Sequence, residues 1–212
     1  MTRSARWTLV VVAAIAVLVA ALVVELGDDS ADSGGPPSAQ AARAHRDADT
    51  PEALAGPRQQ ADLAPCPTGG QNPGSTELRG IVVECAGDGA TVDVARALAG
   101  RPAVLNLWAY WCAPCATELP AMAEYQRRVG GDVNVVTVHQ DENETAGLLR
   151  LAELGVRLPT LQDGQRRIAA ALGVPNVMPA TVVLRADGSV AKVLPQAFTN
   201  ADEIAAAVNS AL

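Results

Sequence analysis

Lysine is almost missing from this chain: Lys192 is the only one among 16 basic residues, and the formal charge is -7. With no basic stripe and no basic–aromatic interleaving, the sequence speaks against a nucleic-acid partner. Aromatic residues make up only 3%, and Trp108, Tyr110 and Trp111 are half of them. There are two histidines, His45 and His139, which argues against a dedicated copper site. No internal repeat is visible. From Gly27 to Ala64 large apolar residues are scarce, and Gly, Pro, Ser, Ala, Asp and Gln dominate. Such a stretch cannot bury enough surface to offset its ordering entropy, so residues 27–64 are expected to form a disordered linker. As a flexible coil it would span roughly 35 Å. His45 falls in this linker and reads as solvated.

One long apolar run is present, Trp7 to Val24, with Arg3 and Arg6 before it and Glu25, Asp28 and Asp29 after it. As a helix it would measure roughly 27 Å, about one hydrocarbon core. Residues 1–26 therefore read as a transmembrane anchor with a cytoplasmic N-terminus and everything after it outside. The competing reading is a cleaved export signal, but Val23-Val24-Glu25-Leu26 is a poor cleavage site. No cysteine is near enough for a lipid anchor. Either way the following domain is expected outside the cytoplasm, where disulfides persist.

Residues 65–212 alternate short β-rich runs with amphipathic stretches. Strands are predicted at Ile81–Cys85, Thr91–Val92, Val104–Trp108, Val133–Val138, Thr160–Gln162, Thr181–Arg185 and Val190–Leu194. Helices are predicted at Val94–Leu98, Ala113–Val129, Asn143–Leu154, Arg166–Leu172 and Ala201–Leu212. Asp187-Gly188 marks a hairpin between the last two strands. This order implies an α/β domain with a mixed sheet covered on both faces.

Between Val104–Trp108 and the helix that follows lies Trp111-Cys112-Ala113-Pro114-Cys115. A CxxC spacing by itself suits either half a zinc site or a redox pair. Its flanks decide in favour of redox chemistry, because a buried strand runs into a helix whose first turn holds both thiols. There the free N–H groups and the helix dipole favour a thiolate on Cys112. Cys115, one turn inward, is placed to resolve a mixed disulfide. Cys66 and Cys85 bracket a Gly/Pro-rich loop and read as a structural disulfide. Closing a loop of about 20 residues stabilises by roughly 3 kcal/mol. The alternatives are a second redox pair or four-cysteine metal binding.

Four segments together resemble the thioredoxin fold, and within it the membrane-tethered TlpA/ResA-like family of thiol-disulfide oxidoreductases. They are Asn106-Leu107-Trp108-Ala109-Tyr110-Trp111-Cys112-Ala113-Pro114-Cys115, Glu118-Leu119-Pro120, Met178-Pro179-Ala180-Thr181 and Asp187-Gly188. The resemblance implies a helix kink at Pro120. It also implies a cis peptide at Met178-Pro179 packed against the CxxC, with the Met178 backbone pairing with substrate. Glu118 reads from sequence as a solvated helical acid, whereas the family implicates a glutamate at this position in the proton chemistry of the thiols. Thioredoxin carries a buried aspartate six residues before its first cysteine. Asn106 stands there instead and cannot titrate, which leaves the proton role to Glu118. Tyr110 or Trp111 is expected to form an apolar rim for partners.

The resemblance further implies no cofactor beyond the dithiol and a monomeric domain. The expected role is reduction of cysteine-containing extracytoplasmic proteins, such as apocytochrome c or a copper-site assembly protein. Electrons would come from a membrane partner of the CcdA/DsbD type. The alternatives are an oxidase that introduces disulfides into secreted proteins, and a non-catalytic redox-sensing or copper-binding module.

Overall fold

A computed structural model of the chain describes residues 49–69 and 73–212. The anchor expected over residues 1–26 and the linker over 27–48 lie outside the described residues. Among the described residues, no helix is long and apolar enough to cross a membrane.

The chain enters the described region through helix α1 (Pro51–Ala61). Strands β1 (Val82–Cys85) and β2 (Thr91–Asp93) follow, then the short helix α2 (Val94–Ala97). Next come β3 (Ala103–Trp108), α3 (Ala113–Val129), β4 (Asn134–His139), α4 (Glu144–Leu154), β5 (Thr160–Gln162) and α5 (Arg167–Ala171). The hairpin β6 (Ala180–Leu184) and β7 (Val190–Leu194), then α6 (Ala201–Asn209), complete the domain. The strands form one mixed sheet in the order β2-β1-β5-β4-β3-β6-β7. β3, β4 and β5 run parallel, while β6 is antiparallel to β3 and β1 is antiparallel to β5.

All six residues of β3 are buried, as expected of a central strand with both faces covered. Its alternation divides the core. Leu105 and Leu107 join Val136, Val138 and Val182 on one face, with α2 and α5. Val104 and Trp108 join Leu119, Met122 and Tyr125 of α3 and Ile204 and Val208 of α6 on the other. Asn106 is the polar interruption in that second stripe, and it is fully buried. The β6–β7 turn uses Gly188 at φ +86°, where a Cβ would lie 2.4 Å from the Ser75 backbone nitrogen.

The expected disordered linker extends too far. Residues 51–61 are helical, with Thr50 Oγ1 accepting the Ala53 N–H at the N-terminus. Gly56 and Pro57 hide this helix in the sequence, and its stability comes from docking rather than propensity. Leu54 and Ala61 are buried with Ala86 and Leu148. Asp49 accepts hydrogen bonds from the Glu144 N–H at 2.8 Å and the Thr145 hydroxyl at 2.6 Å, at the first turn of α4. Arg58 pairs with Glu84, with Glu144 at 3.0 Å and with the Ala86 carbonyl at 3.2 Å. A polar stretch with one leucine thus folds because the domain offers it partners.

Candidate active site

β3 ends at Trp108, and four residues later Cys112 forms the N-cap of α3. Cys112 and Cys115 form a disulfide with Cα atoms 5.3 Å apart. The Cys112 sulfur accepts the Cys115 backbone N–H at 3.3 Å, so the first turn is capped by the sulfur itself. This is the helix end where orphan N–H groups favour negative charge. The two cysteines are not equivalent: Cys112 retains 6% exposure and Cys115 none.

Pro179 is joined to Met178 by a cis peptide bond, as the resemblance implied. Pro179 is buried. Met178, Tyr110 and Trp111 are partly buried and pack on the same apolar cluster that contains both cysteines. Trp111 is held in place by its Nε1–H, which donates to Asp141 Oδ2 at 2.9 Å. Asp141 also accepts the Asn143 N–H at 2.9 Å just before α4. No sequence pattern singled out Asp141; its position just past the end of β4, beside the loop after β3, was the available signal. β3 and β4 are parallel neighbours, so the loops after them share one end of the sheet.

Glu118 is fully buried, which overturns its reading as a solvated acid. Its Oε2 accepts the Asn106 amide at 2.6 Å and its Oε1 accepts the Phe198 backbone N–H at 3.0 Å. Burial pushes this carboxyl up to about 7, against those two donors, which favour the carboxylate. It sits one turn beyond Cys115 on α3. A buried carboxyl pushed up to about 7 can both take up and release a proton near neutral pH.

His139 ends β4 with its ring buried, Nδ1 2.8 Å from Gln162 Oε1 and its centroid 4.8 Å from that of Trp108. Burial holds its pKa down. It packs so closely on α4 that a Cβ at Gly147 would fall 2.7 Å from the ring. Cys66 and Cys85 are bonded to each other, with Cα atoms 5.9 Å apart, and tie the segment after α1 to β1. A groove of about 590 Å³ lies at the other end of α3, between Gln126, Val135 and Arg157, and contains none of these site residues. Among the described residues no His, Cys, Asp and Glu cluster could hold a metal ion.

The sheet order, the helices on both faces and the CxxC at the head of α3 define a thioredoxin-like α/β protein with a redox-capable cysteine pair. The redoxin family model matches residues 65–208, and the chain belongs to that family. It is 32% identical over 103 residues to the thiol-disulfide oxidoreductase ResA of Bacillus subtilis, covering 48% of this chain and 57% of that relative. To ResA of Geobacillus thermodenitrificans it is 31% identical over 108 residues, 49% of this chain and 59% of that one. The chain therefore spans a little over half the length of these curated relatives.

Among solved structures, MTB DsbF superimposes with a TM-score of 0.58 at 24% identity, over 66% of this chain and 99% of that one. A secreted Mycobacterium tuberculosis disulfide oxidoreductase homologous to E. coli DsbE gives 0.55 at 25% identity, over 64% and 99%.

Proposed function

We propose that this protein is an extracytoplasmic thiol-disulfide oxidoreductase that works through Cys112 and Cys115, as a reductase of disulfides in cysteine-containing proteins. The observation that carries the reading is the asymmetry of the pair: Cys112, at the helix N-cap with 6% of its surface exposed, is bonded to Cys115, which is fully buried a turn inside.

In the reduced protein the Cys112 thiolate attacks a sulfur of the partner's disulfide. A mixed disulfide forms and one partner thiolate leaves. Cys115 then gives up its proton, attacks the Cys112 sulfur and expels the second partner thiolate. The Cys112–Cys115 bond results, and two electrons have passed to the partner. Glu118 takes the Cys115 proton, being buried on the next turn and held near neutrality. Met178 and Trp111 flank the nucleophile and contact the partner segment, and Cys66–Cys85 is structural.

The apolar run Trp7–Val24, with its flanking charges, supports a membrane anchor with the domain outside. Reduction in cytochrome c maturation or copper-site assembly, supplied with electrons by a membrane protein of the CcdA/DsbD type, fits the similarity to ResA. The test is the reduction potential of Cys112–Cys115 in the full chain against glutathione. A value near about -250 mV supports the reductase, and one near about -120 mV overturns it in favour of an oxidase. Cys112→Ser abolishes insulin disulfide reduction, while Cys66→Ser with Cys85→Ser lowers stability by about 3 kcal/mol and leaves exchange intact. Equal loss of turnover in both folded variants would make Cys66–Cys85 a redox pair instead.

A further inference from the structure

Trp111 and Met178, the partner contacts of the proposed reaction, are held in different ways. Trp111 is tied by Asp141 to the loop after β4. Met178 ends the segment 175–178, which runs from α5 into cis-Pro179. Pro175, Asn176 and Val177 are exposed, so packing alone does little to fix this segment. A side chain reaches it from the residue before α5. Arg166 donates from its guanidinium to Asn176 Oδ1, and its Nε–H donates to Gln140 Oε1 at 3.1 Å. Gln140 directly follows β4 and precedes Asp141, and its backbone N–H donates to the Trp108 carbonyl at 2.8 Å. One guanidinium therefore spans the segment that carries Met178 and the strand end that carries the anchor of Trp111.

The surroundings of Arg166 maintain this span at a cost. Arg166 stands at φ +57°, in the left-handed region that strains a residue bearing a Cβ. Its side chain makes no capping bond to α5. The buried carboxylate of Asp163 accepts the Arg167 and Ile168 N–H groups instead, at 3.1 and 2.8 Å. A guanidinium can only donate, so both amides must turn their oxygens towards it. Gln140 does this although its Nε2 is then buried without a hydrogen-bond partner. The charge-assisted bond to Arg166 offsets that loss.

We propose that Arg166 is a positioning residue that fixes the Met178 segment relative to Trp111, and so shapes the groove for an extended segment of a protein partner. This rests on the reading of Met178 and Trp111 as partner contacts. A protein disulfide brings chain on either side of its sulfurs to lay between those residues. A small disulfide such as hydroxyethyl disulfide brings none and makes no use of the groove. The bridge from Gln140 to Asn176 therefore acts on selectivity for protein over small disulfides. Lysine cannot replace Arg166, because a single ammonium lacks the planar fork that reaches two amides at once.

The test compares single-turnover reduction of insulin and of hydroxyethyl disulfide by the reduced full chain in detergent. Arg166→Met is expected to lower the ratio of the two second-order rate constants about threefold to tenfold, the worth of one hydrogen bond. The loss should lie in the insulin concentration at half-saturation and not in the limiting rate. Asn176→Ala is expected to match it, and the double variant to fall no further. Asn176→Asp, which keeps an acceptor, should restore the ratio, and Arg166→Lys should not. Restoration by lysine would make the charge responsible rather than the bridge, and equal losses on both substrates would mark a general loss of structure. Either result overturns the proposal, as does an additive double variant. Trp111→Ala reads the groove separately. If it lowers the ratio while Arg166→Met does not, the groove stands and the positioning role of Arg166 fails. If neither lowers it, the reading of the groove fails and the proposal falls with it.

Discussion

Glu118 and Glu144 are both buried glutamates near the head of a helix, and both are pushed up to about 7 by loss of water. Their surroundings are opposite. Glu144 sits 3.0 Å from Arg58 with two further acids, Glu84 and Asp49, acting on it. Glu118 has no counter-ion, only an amide and a backbone N–H. The first carboxyl is part of a clasp that holds α1 to α4, and gaining a proton weakens its ion pair. The second can gain or lose a proton without breaking a salt bridge, which suits the proton role proposed for it. Similar pKa values arise here from different balances, so the partners and not the value distinguish the two acids.

The strongest way to break this comparison is to remove the cation. Arg58→Met is expected to cost about 2–3 kcal/mol at pH 8, the lower end for breaking a buried pair because Glu144 can take up a proton. Urea unfolding reads the loss, and amide exchange should show α1 released while the Glu118 titration stays in place. Next comes Glu118→Gln, expected to slow the Cys115 resolving step by roughly 10–100-fold near neutral pH, read by quenched trapping of the mixed disulfide.

The pH dependence of stability sharpens the contrast further. Both carboxyls have folded-state values above the unfolded 4.5, so their contribution is fully present below pH 4.5 and is lost as pH rises through about 7. Burial of His139 acts in the opposite direction and burial of Asp163 in the same one, so the Glu118 share is read as a difference: across that window the stability of Glu118→Gln should fall less with rising pH than that of the natural protein. Denaturant midpoints at a series of pH values test this, and an unchanged slope would contradict the burial argument. The smallest effect is expected for Glu144→Gln, within about 1 kcal/mol at neutral pH, because Arg58 keeps Glu84 and the Ala86 carbonyl.

Much of the fold was legible because its signals are local. Helix α3 spans Ala113–Val129 as expected, and β5 and β7 keep their predicted limits. β3 differs by a single residue at its start. Helix α1 was not legible: Gly56, Pro57 and a lone leucine give no apolar stripe, and its partners Glu84, Ala86 and Glu144 lie far along the chain. In the site, the cysteine pair was plain from spacing and flanks, and the cis bond at Met178-Pro179 followed from the resemblance. The burial of Glu118 was not readable. An acid one turn after Cys115 looks solvated until Phe198, 80 residues away, closes over it.

By itself the sequence determined which strand feeds which helix, and hence that Cys112 caps α3 with Cys115 one turn inside. Helix and strand periodicity and the CxxC spacing are short-range properties that neighbouring residues settle among themselves. Only the tertiary structure decided what surrounds those sulfurs. The burial of Glu118, the anchoring of Trp111 by Asp141 and the docking of α1 each depend on residues brought together from distant parts of the chain. Burial and hydrogen-bond partnership are properties of that assembly, because the water that a side chain loses is displaced by its neighbours in space.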